Sequence, residues 1–506
     1  MKINVAHNAK INLAFGLINK VLILILPFVE RTVMRYVLGS EYLGLNSLFS
    51  SILSVLSLAE LGFGSAIVYN MYKPIADNDI KEINSLLNLY RQVYFTIGLI
   101  VLVIGLLLIP FLPNLISGTY PQDANLTMVY LLYLLNSVIS YFLYSYLSSL
   151  LVVYQREDVH SIITMVTTVG MYVSKIVIIY FLKNYYIATM TLPAFTILQN
   201  LSMAVVIKRM YPQFKCEGKI EHERLQPIKK LIAGTFISRA CAVTRNSLDS
   251  ICISAFLGLA LTAIYNNYYI ILHSVTVALS IVSTSLIGGI GNHVVTKSAN
   301  ENYHELEIID FAYMIISGWC TVCLLCLYQP FMRLWMGNEM LLPLDTVMLF
   351  CLYFYVLKIG DMRAMYSTTN GLWWHHRYRA MIETVCNLIL NIMLGKLFGI
   401  NGIIIATVIS LIFCNTIWAT HITFKLYFKE KRYIKGYYLY QAKYGAVTLI
   451  ACGLSFIVCS ILMPTTAIMQ FIINGIICII VPGIVFFFIL KNNLLLKELI
   501  RIVRKR

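Results

Sequence analysis

Residues 97–112 read "IGLIVLVIGLLLIPFL", without one charged or hydrogen-bonding side chain. A strand of an outer-membrane barrel alternates apolar and polar residues over about ten positions, and this run does not alternate. In lipid an uninterrupted apolar run must satisfy its own backbone, which only a helix does. A helix of roughly 20 such residues crosses a bilayer.

Similar runs recur along the whole chain, at 12–35, 44–71, 90–113, 126–152, 160–182, 186–207, 231–257, 261–290, 308–332, 344–368, 380–398, 401–425, 442–463 and 467–490. The chain has 506 residues, 59% hydrophobic and only 12% charged. A soluble domain carries about 25% charged residues. The expected fold class is an all-α integral membrane protein with about 14 transmembrane helices.

Lysine and arginine in the loops set the orientation. With both termini cytoplasmic, the inner side holds 28 of the 39 basic residues, and the outer side holds Arg35, Lys183, Arg333 and Lys396. The net charge of +16 then faces anionic headgroups, so no nucleic-acid partner is expected. The first apolar run contains Lys20 and Glu30 and lacks a small-x-small site, which reads as a retained helix and not a cleaved signal. Cys320, Cys323 and Cys326 have a C-x-x-C-x-x-C spacing. They lack a His or carboxylate at similar depth, so they read as small apolar side chains and no metal is expected. The "WWHH" at 373–376 reads as an interfacial anchor.

The two halves repeat. A shift of 219 residues places Lys20 on Arg239, Glu30 on Asp249 and Tyr94 on Tyr313. A shift of 220 places Pro110-Phe111 on Pro330-Phe331, and 218 places Ile187-Ala188-Thr189 on Ile405-Ala406-Thr407. The expected organisation is a six-helix lobe at 1–210, a basic linker at 211–230, a second six-helix lobe at 231–428, and two additional helices with a basic tail at 429–506. An even number of spans per copy makes the repeats parallel, and transporters built this way bind substrate near the midplane between the lobes.

Charges inside the spans cost about 3 kcal/mol each on insertion scales and face a bundle interior or a watery cavity. The basic ones are Lys20, Arg31, Lys175, Arg239, Arg245, Lys358 and Arg363, and the acidic ones are Glu30, Glu60, Asp249 and Asp361, with Glu383 near an inner end. Arg245 and Asp249 are four apart, and Lys358 and Asp361 three apart, so both can pair on a helix. Some cations remain after such pairing, and an anion or water must complete their environment. Lys20, Arg239, Arg245, Lys358 and Arg363 are the candidate substrate-binding set for a phosphate or diphosphate, because a guanidinium matches phosphate oxygens in two-point contacts. Glu30, Asp249 and Asp361 are the candidates for charge pairing or for coupling to Na+ or H+. Tyr130, Tyr133, Tyr141, Tyr144 and Tyr146 in the fourth span offer hydroxyls that either meet sugars or pack the helices.

The stretches "AELGFGSAIVYNMYKPIADND" (59–79), "NSLDSICISAFLGLALTAIYNNYYIIL" (246–272), "SLIGGIGNHVV" (285–295) and "NGLWWHHRYRAMIETVCNLILNIMLGKLFGINGIIIAT" (370–407) resemble the polysaccharide-transporter flippases of the multidrug/oligosaccharidyl-lipid/polysaccharide exporter superfamily. The resemblance runs over nearly the whole chain. It implies translocation of an undecaprenyl-diphosphate-linked oligosaccharide from the inner to the outer leaflet of a bacterial cytoplasmic membrane, by alternating access through a cationic cavity and without covalent chemistry. It also implies polysaccharide polymerase or assembly proteins as partners, for O-antigen, capsule or exopolysaccharide. A lipid II flippase and a multidrug exporter of the same superfamily are the alternatives. A membrane glycan polymerase fits poorly, because the outer loops are short except 113–125, which holds one acidic residue, Asp123.

Overall fold

The computed structural model describes residues 5–57, 63–220, 222–462 and 466–504. Every regular element among them is helical, and the chain divides into two compact units, Met1–Ala263 and Ile264–Arg506.

The first unit contains α1 (Val5–Val37), α2 (Ser40–Leu56), α3 (Phe63–Ala76), α4 (Ile80–Leu108), α5 (Leu126–Phe142), α6 (Ser148–Val153), α7 (Glu157–Leu182), α8 (Tyr185–Met210) and α9 (His222–Leu257). Helix starts carry side chains that satisfy the free N–H groups of the first turn. Asp79 accepts from Glu82 N at 2.9 Å, Asn125 from Met128 N at 3.1 Å, and Asn184 from Ile187 N at 3.1 Å. Between α5 and α6 the chain bends by 48° where Tyr144 adopts a left-handed conformation, φ 55°. α1 packs along α7, and α9 packs on α2 and α3. Gly44 on α2 permits a close approach: a Cβ there would lie 2.2 Å from the carbonyl oxygen of Leu259.

The second unit begins inside α10 (Leu259–Thr296) and continues through α11 (Ala299–Met336), α12 (Leu344–Lys358), α13 (Asp361–Thr369), α14 (Arg377–Ser410), α15 (Ala419–Thr423), α16 (Lys431–Ile461), α17 (Ala467–Leu490) and α18 (Leu494–Arg504). α11 is its axis and packs on α12, α16 and α17. It opens with a capping box in which Ser298 Oγ accepts from Glu301 N and Glu301 Oε2 accepts from Ser298 N. α12 and α13 are separated by a break at Gly360, φ 90°, as α5 and α6 are at Tyr144.

The stretch from Arg377 to Phe428 runs 52 residues, which as one straight helix would be about 78 Å long. It is not straight. Gly399 (φ 59°, ψ −136°) turns the chain back, dividing it into the two spans expected at 380–398 and 401–425. Residues Leu411–Trp418 and Phe424–Phe428 are π-helical around α15.

The expected spans fall on single helices, on α2 with α3 apart from 58–62, which lie outside the described residues, on the broken pairs α5/α6 and α12/α13, or on the two arms of the stretch Arg377–Phe428. Among the described residues, eight helices are long and apolar enough to cross a membrane, and the bent pair α5/α6 makes a ninth. Large apolar side chains face outward along them, such as Ile472, Ile476, Ile479 and Phe487 on α17. That is the pattern of a surface bathed in hydrocarbon.

Candidate functional site

In the first unit the charged positions lie on α1, α7 and α9. Glu30 and Arg31 are buried on α1. Glu30 Oε1 lies 2.5 Å from Lys175 Nζ on α7, and both side chains are shielded from solvent. Lys175 is thereby a structural cation: removing either partner would leave the other charge uncompensated. Arg31 donates to Ser47 Oγ on α2 and to the Ala263 carbonyl, each at 3.4 Å. On α9, Arg245 and Asp249 are buried, and Arg245 Nε lies 3.5 Å from Asn246 Oδ1. Lys20 and Arg239 sit on α1 and α9, but their side chains, and all of Glu60, lie outside the described residues. α9 opens the second copy of the sequence repeat yet packs in the first unit, so Arg239 and Arg245 share that unit with Lys20 and Arg31.

In the second unit the broken helix organises the charges. Lys358 ends α12, Asp361 begins α13, and their side chains meet at 2.8 Å across Ile359 and Gly360. The same Asp361 oxygen accepts from Tyr313 Oη on α11 at 2.6 Å. Arg363, 2% exposed, turns the other way. Its Nη1 donates to the carbonyls of Asn415 at 3.0 Å and Thr416 at 3.4 Å and to Thr420 Oγ1. Those acceptors lie on and just beyond the π-helical Leu411–Trp418, where displaced backbone bonding leaves carbonyls open to a side-chain donor. Gly360 leaves room for the guanidinium, since a Cβ there would lie 2.8 Å from Arg363 Nη2. Glu383 accepts from Arg379 at 2.7 Å on α14.

Two features of this unit escape the sequence reading. Asp310 on α11 is 3% exposed and accepts from Gln441 on α16. His376, in the connection between α13 and α14, places Nε2 2.8 Å from Ser367 Oγ. Burial, then the nearby charges of Arg379 and Arg363, push its imidazole down to about 3, so it is neutral at ordinary pH.

The charges are distributed unevenly. Of the charges read inside the spans from the sequence, residues 1–263 hold Lys20, Arg31, Lys175, Arg239 and Arg245 against Glu30, Glu60 and Asp249. Residues 264–506 hold Lys358 and Arg363 of that set against Asp361 and Glu383. The basic excess therefore belongs to the first unit.

The tyrosines of the fourth span are largely engaged in packing. Tyr130 donates to the Gly105 carbonyl at 3.0 Å, Tyr133 bonds Asn46 and Tyr185, and Tyr141 and Tyr146 are buried. Lys208 Nζ lies 4.8 Å from the Tyr144 ring centre. At 373–376, Arg377 stacks over Trp374 at 4.1 Å. Cys320, Cys323 and Cys326 are free thiols along α11, and no metal-binding cluster of His, Cys, Asp and Glu occurs among the described residues.

No protein-family model matches the sequence, and no curated protein sequence matches it. Solved structures do. The lipid II flippase MurJ in an inward closed conformation is 15% identical, with 95% of this chain and 99% of that chain covered at a TM-score of 0.69. An inward-facing multidrug resistance MATE family transporter of the MOP superfamily is 14% identical over 82% of this chain and 98% of that one, TM-score 0.59. A point mutant of the Vibrio cholerae MATE transporter VcmN is 16% identical over 85% and 99%, TM-score 0.59. At such identities the likeness is one of fold, and the chain has the helical membrane-transporter fold found in MurJ and in the MATE transporters.

Proposed function

We propose that the protein is a flippase that moves an undecaprenyl-diphosphate-linked oligosaccharide from the inner to the outer leaflet of the cytoplasmic membrane by alternating access. The observation that carries this reading is the basic excess within the helices of the first unit, on α1 and α9. Lys20, Arg239 and Arg245 are the first contacts of the diphosphate, where guanidinium forks match its oxygens. Lys358 and Arg363 are later contacts, each exchanging a protein partner, Asp361 or the π-helical carbonyls, for phosphate. The glycan travels with the diphosphate while the polyprenyl chain stays in lipid. An inside-negative potential assists by roughly 2.3 kcal/mol per net negative charge per 100 mV.

Lipid II is the second candidate cargo. The MurJ likeness covers 95% of the chain against 82% and 85% for the two MATE structures, and lipid II has the same carrier and diphosphate. Export of cationic drugs fits less well, because buried arginines repel such cargo.

The test is translocation of a fluorescent polyprenyl-diphosphate oligosaccharide in proteoliposomes, comparing the native protein with Arg239→Ala and Arg245→Ala at matched folded amounts. A charged hydrogen bond is worth about 1.5–3 kcal/mol, so each variant should raise half-saturation about 10- to 100-fold. Undiminished transport by both variants would remove the diphosphate reading of these arginines.

A further inference from the structure

Among the acidic side chains of the second unit, Asp361, Glu383 and Asp310 are not equivalent. Asp361 has Lys358 at 2.8 Å and the Tyr313 hydroxyl at 2.6 Å. Glu383 has Arg379 at 2.7 Å. Asp310 is the most buried of the three, and no cation lies within ion-pair distance of it among the described residues. Its hydrogen-bonding partner among the described residues is the side-chain amide of Gln441. Among the described residues the other carboxyl oxygen, Oδ1, has no hydrogen-bond partner, and neither does Gln441 Oε1 nor Tyr437 Oη, one turn earlier on α16.

An ionised carboxylate removed from water and offered one neutral donor is poorly compensated. The remaining charged and titratable groups around it do little to change that. On α13, Arg363 attracts the charge and Asp361 repels it, but Arg363 Nη1 is committed to Asn415, Thr416 and Thr420. Tyr355 on α12 and Tyr437 and Tyr444 on α16 complete the surroundings, all neutral phenols. A proton on Asp310 removes the buried charge and turns one oxygen into a donor.

Gln441 can serve both states. The oxygen and nitrogen of its amide occupy nearly equal volumes. With its NH2 toward Asp310 it donates to the ionised carboxylate, and with the amide turned over its carbonyl accepts the proton of the neutral acid. The packing around the pair is otherwise firm: Phe311 meets Tyr444 at 5.7 Å, and Tyr303 stacks on Tyr433 at 3.9 Å.

We propose that Asp310 and Gln441 form a proton-binding site in which the Gln441 amide turns over as Asp310 gains or loses its proton, and that this proton is the coupling ion of transport. Ca2+ or Mg2+ would need about six or more oxygen ligands, whereas a proton needs one lone pair. The second half of the proposal rests on the flippase reading; proton binding itself does not.

Infrared difference spectra between acidic and alkaline pH, taken on the full protein in lipid, read the neutral carboxyl directly. The expected result is a carboxyl C=O band in the native protein that vanishes in Asp310→Asn and shifts in Gln441→Leu. A band unchanged in Asp310→Asn would overturn the site, as would a band that responds to Na+ at constant pH. In proteoliposomes carrying the fluorescent lipid-linked oligosaccharide, the pH dependence of transport should flatten in Asp310→Asn. A pH profile equal to the native one would overturn the coupling role. If the native protein moves no such substrate at any pH while the band persists, the flippase reading falls and the proton site stands.

Discussion

Burial of a charge means different things at different residues here. Glu30 and Lys175 answer each other at 2.5 Å, and their ion pair ties α1 to α7. Lys358 and Asp361 do the same over three positions, a pairing legible in sequence as an i,i+3 neighbour relation. Asp310 is not legible in that way. It lies only two residues inside the expected span 308–332, where a carboxylate reads as rim, and Gln441 is 131 positions away. His376 is equally hidden within an interfacial "WWHH". Its imidazole is held down at about 3 by burial and by Arg379 and Arg363. The sign follows from linkage. Between the ordinary value of 6.5 and the folded value, the unfolded chain binds the proton and the folded one does not. The His376 contribution to stability is therefore complete above pH 6.5 and declines as pH falls toward 3. Thermal midpoints of native protein and His376→Gln in detergent, measured from about pH 7.5 to 5, should show the steeper fall in the native protein. Parallel curves would mean that His376 takes up its proton in the folded state as readily as in the unfolded one.

At the scale of elements, apolar length locates the helices because the bilayer demands about 20 residues of them, whereas the breaks within helices leave little trace. A turn needs only one residue in an unusual conformation, such as Tyr144 or Gly360, inside an otherwise continuous apolar run. The π-helical acceptors of Arg363 are likewise a backbone property that side-chain pattern does not report. Gly399 and Gly402 make the α14 hairpin. A Cβ on Gly402 would lie 1.9 Å from the carbonyl oxygen of Leu394, a backbone clash that no rotamer change relieves. Gly453, on α16, has nothing within 4 Å of the same position. Gly402→Leu should therefore abolish the folded fraction seen by size-exclusion chromatography, while Gly453→Leu leaves it near the native level. Equal recovery of both would show that the two arms of α14 do not need so close an approach.

At the scale of the whole chain, the sequence repeat and the packing describe different things. The repeat pairs α1 with α9, Lys20 with Arg239 and Glu30 with Asp249, while contacts gather both helices into Met1–Ala263. Basic residues that look evenly shared by two repeats are thereby concentrated in one unit. Lysine and arginine in the loops carry the expected orientation, and α4 provides the ruler for it. At its start, Asn84 accepts from Lys215 N and Asn88 donates to the Gly218 carbonyl, both at 2.8 Å, so the basic loop is fixed to that end. Its other end leads into the segment containing Thr119, about 44 Å away for 29 helical residues. Positions 217 and 119 are both exposed and so report opposite sides of the membrane. In a cysteine-free background, an impermeant maleimide applied to intact cells should label Thr119→Cys and spare Glu217→Cys until the membrane is permeabilised. The reverse pattern would place the basic loops outside, and a diphosphate leaving the cytoplasm would then meet the lysine-poor end of these helices first.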